Sequence, residues 1–159
     1  MTTAIRAYLP TDDVVVAEVW HRSGRDRYTF LPTWQTFTLE QARDVFHQSI
    51  APECELWVGT IDGRIVAFLA MKMSYIDRLY VEPSEQGNGW GRRLLEYAKD
   101  LHPAGLELHT HQENRGARRF YERNGFNAVR YGTSPPPESA PDVEYHWRPD
   151  EKASHSRHD

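Results

Sequence analysis

Residues 79–93 read LYVEPSEQGNGWGRR, an apolar run and a turn followed by Gly87, Gly89 and Gly91 and then by Arg92 and Arg93. The order predicts a strand, a bare-backbone loop and a helix start. Glycine has no Cβ, so a ligand can lie against the main chain there. The free N–H groups of a helix's first turn, its dipole and the two arginines select an anion. The chemistry on offer is phosphate binding.

Three phosphate motifs compete for this stretch. A Walker loop ends in Lys and then Ser or Thr, whereas this loop ends in Arg92-Arg93-Leu94. A dinucleotide fingerprint needs G-x-G-x-x-G in a first βαβ unit, and here the spacing is G-x-G-x-G well into the chain. The third pattern, Gln-x-x-Gly-x-Gly, fits Gln86, Gly89 and Gly91. A plain glycine-rich helix entry is the bland alternative.

A second block, NRGARRFYERNGF from Asn114 to Phe126, follows one strand later. Asn114 is a good N-cap and Gly125 a C′ glycine, which predicts a helix from about Arg115 to Asn124. Ala117, Phe120 and Tyr121 share one face of it at i, i+3 and i+4. Together the two blocks, and the spacing between them, resemble the GNAT superfamily of N-acetyltransferases. The likeness extends over nearly the whole chain, to about Arg148.

That resemblance implies an α/β fold with a mixed α+β sheet in the order β-α-α-β-β-β-α-β-α-β-β, and acetyl-CoA as cosubstrate. It implies that Leu79, Tyr80 and Val81 line the coenzyme arm. Gln86, Gly87, Asn88, Gly89, Trp90, Gly91 and Arg92 then hold the pyrophosphate, with Arg93 toward the 3′-phosphate. Asn114 would contact the pantetheine, with Ala117, Phe120 and Tyr121 bordering the same cleft. The catalytic pair it implies is the Val81 N–H as oxyanion donor and Tyr121 as acid. Trp90 is larger than the aliphatic residue common in such loops, which raises a packing question.

An amine that attacks a thioester must first lose a proton, since an alkylamine has a pKa near ~10. The oxyanion then needs donors, and the departing thiolate benefits from a proton. Candidates for the base are Asp77, Glu82, Glu107, His109, His111 and Glu113, each equally readable as a polar position on a half-exposed strand. His109 and His111 share a strand face, but no third ligand is placed by any motif, so no metal is expected. Arg22, Arg25 and Arg27 form a basic cluster suited to a carboxylate-bearing acceptor or to surface ion pairs. Glu18 and Glu40 suit a cationic amine instead. Tyr8, Trp20, Tyr28, Phe30, Trp34 and Phe37 read as core or as an acceptor wall.

The 159 residues, 39% hydrophobic and 26% charged, suit one domain over 1–148 with a frayed tail over 149–159. A formal charge of −4 gives no general attraction to nucleic acid or anionic membrane. Apolar runs stay below the ~20 residues of a membrane span, no leader pattern opens the chain, and Cys54 stands alone. A cytoplasmic location is expected.

Along the chain we expect a strand over 5–9, a helix over 14–22, a loop over 23–37 and a capped helix from Thr38 to Ser49 or Ile50. A hairpin of 55–61 and 64–73 turns at Asp62-Gly63. Strands at 75–81 and 106–111 flank the glycine-loop helix, a crossover long enough for parallel pairing. A strand near 128–131, a Pro-rich loop over 134–141 and a strand over 143–147 that closes the sheet complete the order. The reading is an acetyl-CoA-dependent N-acetyltransferase acting by direct transfer on a small-molecule or peptide amine. A catalytically silent coenzyme A-binding regulatory module is the alternative, and an ATP-binding protein ranks last. An exposed edge or the Pro-rich loop would suit a homodimer.

Overall fold

Asp62 and Gly63 adopt φ of 49° and 83°, as a two-residue type I′ turn demands, and the strands they join anchor the first half of the fold. In this computed structural model, which describes residues 1–149, the chain forms two units, Met1–Leu95 and the residues from Glu96 onward. The first unit carries β1 (Thr3–Ala7), β2 (Glu55–Ile61), β3 (Arg64–Lys72) and β4 (Tyr75–Val81), neighbours in that order and all antiparallel. Seven consecutive residues of β3, Ile65 to Met71, are buried, which marks a central strand covered on both faces. Helix α1 (Asp13–Arg27) packs on β3 and β4, with Val16, Val19 and Trp20 buried. Short helices α2 (Pro32–Thr36) and α3 (Leu39–Val45) follow.

Thr38 caps α3 as the sequence predicts: its hydroxyl accepts from the Gln41 N–H while the Gln41 side chain accepts from the Thr38 N–H. The expected stop before Pro52 is not observed. A π-turn over Phe46–Ile50 leads into α4 (Ala51–Glu53), which contains Pro52. A widened turn removes the need for the N–H that proline lacks, so the helix passes through it.

The second unit takes up α5 (Trp90–Leu101, begun in the first), β5 (Leu106–His111), α6 (Arg115–Arg123), β6 (Asn127–Thr133) and β7 (Pro141–Trp147). Strand order here is β5-β7-β6, with both pairings antiparallel. The final strand therefore inserts between its predecessors and does not close an edge. Burial explains the placement. Val143 and Tyr145 are fully buried beside Leu106 and Leu108, while every residue of β6 is exposed and suits an edge. The opposite face of β5 and β7 sets acid against histidine: Glu107 with His146, His109 with Glu144, His111 with Asp142.

Two further expectations shift. The opening strand is Thr3–Ala7, two residues earlier than the apolar run suggested. Helix α1 continues to Arg27, through residues expected to be loop. A Cβ on Gly24 would lie 2.3 Å from the Trp34 ring, so this glycine inside the expected loop is where the helix admits an indole. Of the tail over 149–159, all but Pro149 lies outside the described residues.

Asp12 ties β1 to the start of α1. Its carboxylate accepts from the Leu9 N–H at 2.8 Å and from Arg6 at 2.8 and 3.1 Å, and the Arg6 bond foremost holds its pKa below the ordinary carboxylate value. The stabilisation is complete above the unfolded value of about 3.9 and disappears as pH falls through the lower folded value. Half of this pair is exposed, so its worth is about 1 kcal/mol. Asp12→Asn should lower the urea midpoint at pH 7 and leave the difference from native protein smaller at pH 2.5.

Candidate active site

The loop between β4 and α5 opens outward. Gly87 and Gly89 have φ of 81° and 87°, a region that L side chains rarely enter, and among the described residues no atom beyond the adjoining chain lies within 4 Å of where a Cβ would stand on either. Asn88 is exposed beside them and Gly91 and Arg92 lie in the first turn of α5. The space over these amides is thus free for an anion at a helix start. Trp90 takes the opposite direction. It is buried, and a Cβ on Gly59 of β2 would fall 2.5 Å from its ring. The missing side chain of Gly59 is the socket for the oversized Trp90, which answers the packing question. Arg93 stacks over the same indole at 4.4 Å, so its guanidinium braces the loop.

The end of β4 is organised by its backbone. The Glu82 N–H donates to Val66 O at 2.7 Å, and with Val81 opposite Ala67 this places residues 80 and 82 among the pairs bonded to β3. By alternation the N–H and C=O of Leu79 and Val81 face away from β3, along the other edge of the strand. Their carbonyls are already engaged by side chains. Ser23 Oγ donates to Val81 O at 2.8 Å, Gln86 Nε2 to the same oxygen at 3.2 Å, and Arg27 Nη1 to Leu79 O at 3.3 Å. The Tyr80 ring stacks on Phe68 with a centroid separation of 5.7 Å, and the Arg27 guanidinium lies 4.6 Å above it. Burial first, and the neighbouring Tyr28 next, push the Tyr80 phenol well above its usual pKa, so it stays protonated.

In the second unit Asn114 begins α6, its Oδ1 accepting from the Ala117 N–H at 3.1 Å. Its Nδ2 is buried, with no hydrogen-bond partner among the described residues. An orphaned buried donor costs about 1–3 kcal/mol, so the group is suited to a carbonyl acceptor. The helix ends in a Schellman arrangement, Phe126 N–H to Tyr121 O at 3.0 Å and Gly125 N–H to Glu122 O at 3.2 Å, with Gly125 at φ 91°. Tyr121 is buried with its ring among Phe120, Phe126 and Tyr145, at 5.2, 5.6 and 6.2 Å. Arg118 and Glu122 bracket the Tyr145 hydroxyl at 3.1 and 2.6 Å, locking the floor beneath Tyr121.

The remaining candidates divide by their partners. Arg22 grips Glu82 through two bonds of 2.8 and 3.2 Å, and Glu18 pairs with Arg43 at 2.8 Å, which makes them structural ion pairs. Arg25 and Glu40 are exposed. Asp77 contacts Arg78, Lys72 and the thiol of Cys54. Burial, then the Asp77 charge, pushes Cys54 up to about 11, leaving it an unreactive thiol. On β5, His111 Nε2 lies 2.9 Å from Glu138 and His109 Nε2 3.7 Å from Glu144. The His146 hydrogen bond foremost, with Arg130, lowers the Glu144 pKa. Glu113 is exposed. Among the described residues no group of three His, Cys, Asp or Glu side chains is arranged to hold a metal ion. The early aromatics form a ring cluster, Trp20, Trp34 and Phe37 meeting pairwise at 5.4–5.6 Å.

Ser23 and Gly59 escaped the sequence reading, and Gly24 falls within the loop expected over 23–37. A serine in a polar stretch carries no signal of its own. Only the helical spacing of Ser23 and Arg27, i and i+4, hints that they act on one strand.

Comparison with known proteins bears on the family and the fold. The model of the acetyltransferase (GNAT) family matches residues 17–126. The chain belongs to the GNAT family. YjaB of Salmonella typhimurium LT2, named a peptidyl-lysine N-acetyltransferase, is 32% identical over 112 residues, 70% of this chain and 74% of that protein. YiaC of Escherichia coli K12, with the same functional name, is 32% identical over 129 residues, 79% and 82% of the two chains. The solution structure of apo YjaB from Escherichia coli superposes with a TM-score of 0.77 at 25% identity, covering 92% of this chain and 98% of that one. The mixed α/β fold is that of the GNAT acetyltransferases, and the protein is an acetyl-CoA-dependent N-acetyltransferase. No helix among the described residues is long and apolar enough to cross a membrane.

The Gly59–Trp90 fit gives a direct test. Gly59→Ala must move the indole at the mouth of α5 and should cost about 1–3 kcal/mol by overpacking. Trimming the partner in Gly59→Ala/Trp90→Leu should recover part of that loss. Thermal denaturation of the two single variants and the double measures the coupling.

Proposed function

We propose that residues 1–148 act as one catalytic domain that acetylates a lysine side chain presented by a peptide or protein, by direct attack in a ternary complex. Two relatives named peptidyl-lysine N-acetyltransferases support the acceptor class. The coenzyme half rests on one observation above the others: Val81 presents its N–H along an edge whose carbonyls are occupied by side chains.

In this reading the amides of Gly87, Asn88, Gly89, Trp90 and Gly91, with Gln86 and Arg92, seat the pyrophosphate. Leu79, Tyr80 and Val81 border the arm on one side. Asn114 Nδ2 donates to an arm carbonyl, and Ala117 and Phe120 line the remainder. The acceptor ammonium first loses a proton through water to His111, which Glu138 orients at 2.9 Å. The nitrogen lone pair then forms the C–N bond, and the Val81 N–H stabilises the negative charge gathering on the acetyl oxygen. When the C–S bond breaks, Tyr121 gives its phenolic proton to sulfur. The second proton released by the nitrogen restores Tyr121, leaving an amide and free thiol.

Lysine-bearing peptides offered with acetyl-CoA should release thiol and gain 42 Da, about the mass of an acetyl group in place of a hydrogen. Thiol release with free polyamines or amino acids but with no peptide would overturn the acceptor assignment. Tyr121→Phe should lower kcat by about ten-fold or more, with coenzyme affinity by calorimetry nearly unchanged; full turnover in this variant removes Tyr121 from the reaction. Cys54→Ala should leave turnover as it is, because a thiol pushed up to about 11 carries no acyl group at neutral pH.

A further inference from the structure

We propose that Ser23 is a positioning residue for the acyl transfer: with Gln86 it holds the peptide that follows Val81, while Arg27 holds Leu79 O. The inference rests on the reading of Val81 above and extends it to a residue with no contact of its own to substrate.

A strand edge normally alternates donors and acceptors, which is why it recruits another strand. At the end of β4 the acceptors are consumed. Val81 O receives Ser23 Oγ at 2.8 Å and Gln86 Nε2 at 3.2 Å, and Leu79 O receives Arg27 Nη1 at 3.3 Å.

The grip is built into α1. Ser23 has no solvent exposure, and Ser23 and Arg27 sit one turn apart on the helix face that meets β4. Arg22, beside them, holds Glu82 just beyond the strand through two bonds of 2.8 and 3.2 Å. Three consecutive positions of the strand's end, Val81 and Glu82 by these bonds and Tyr80 by the Arg27 guanidinium stacked 4.6 Å above its ring, are therefore referenced to one rigid helix. The Val81 carbonyl and the Glu82 N–H belong to one peptide plane, held by Ser23 and Gln86 on one side and by Val66 O on the other, so the Cα to which the Val81 N–H is attached is fixed in place. A donor aimed before reaction is worth more than one that must reorient.

Three variants carry the test in the full chain: Ser23→Ala, Ser23→Cys, which keeps the volume with a poor donor, and Arg27→Met, which frees Leu79 O. Turnover is measured with acetyl-CoA and a lysine peptide that the native protein acetylates. Each rate is normalised to sites competent to bind coenzyme A by calorimetry. The expected result is a kcat about ten-fold lower for both Ser23 variants and a smaller loss for Arg27→Met. Peptide KM and coenzyme A Kd should stay within about two-fold. The amide resonance of Val81 should move in the Ser23 variants while those of Gly87 and Gly89 hold. A purely structural serine would lower Tm and the competent fraction without touching kcat per competent site. That outcome in either Ser23 variant overturns the proposal, as does a loss confined to coenzyme affinity. Failure of the native protein to acetylate any amine while still binding coenzyme A would instead strike the functional reading itself.

Discussion

A buried peptide carbonyl must have a partner, and at the end of β4 the partners are side chains. This constraint shapes much of the first unit. It requires α1 to run on to Arg27, so that Ser23 and Arg27 reach the strand one helical turn apart. It also requires Gln86 to fold back from the glycine loop onto Val81 O, which makes the loop's first residue a strut as well as an entrance. The carbonyls of Leu79 and Val81 are thereby both engaged by side chains.

Two absent Cβ atoms let the helices come close enough for this. Gly24 admits the Trp34 ring against α1, and Gly59 admits Trp90 against β2. In each case an indole fills the space of a missing side chain, and neither glycine has the positive φ that explains Gly87 and Gly89. Glycine thus does two different jobs here. In the loop it provides a backbone conformation; in the helix and the strand it provides room. The large Trp90 is a consequence of the second job, and by burying itself it leaves the loop amides facing outward.

The second unit meets a different demand. Helix α6 is short, and both its ends are fastened: Asn114 caps the first turn and a Schellman turn through Gly125 and Phe126 closes the last. Tyr121 lies between these fixed ends, packed on Phe126 and on a Tyr145 held by Arg118 and Glu122. The Asn114 side chain splits its duty. Its oxygen serves the helix and its buried nitrogen has no hydrogen-bond partner among the described residues.

Local pattern in the amino-acid order determined the glycine loop, the Asn114 cap, the Asp62-Gly63 hairpin and the bounds of β4 and β5, because each rests on interactions within a few residues. The same holds for the family, since its two motifs are contiguous. Tertiary structure alone decided the length of α1, the passage of a helix through Pro52, the insertion of β7 between β5 and β6, and the attachment of Ser23 to Val81 across 58 residues. These outcomes depend on what a distant surface offers: an indole to cover Gly24, a widened turn to spare a proline its N–H, a buried face for Val143 and Tyr145, an unpaired carbonyl for a hydroxyl. Periodicity and capping rules carry no information about such partners, because the energy that selects them is released only when the chain has closed on itself.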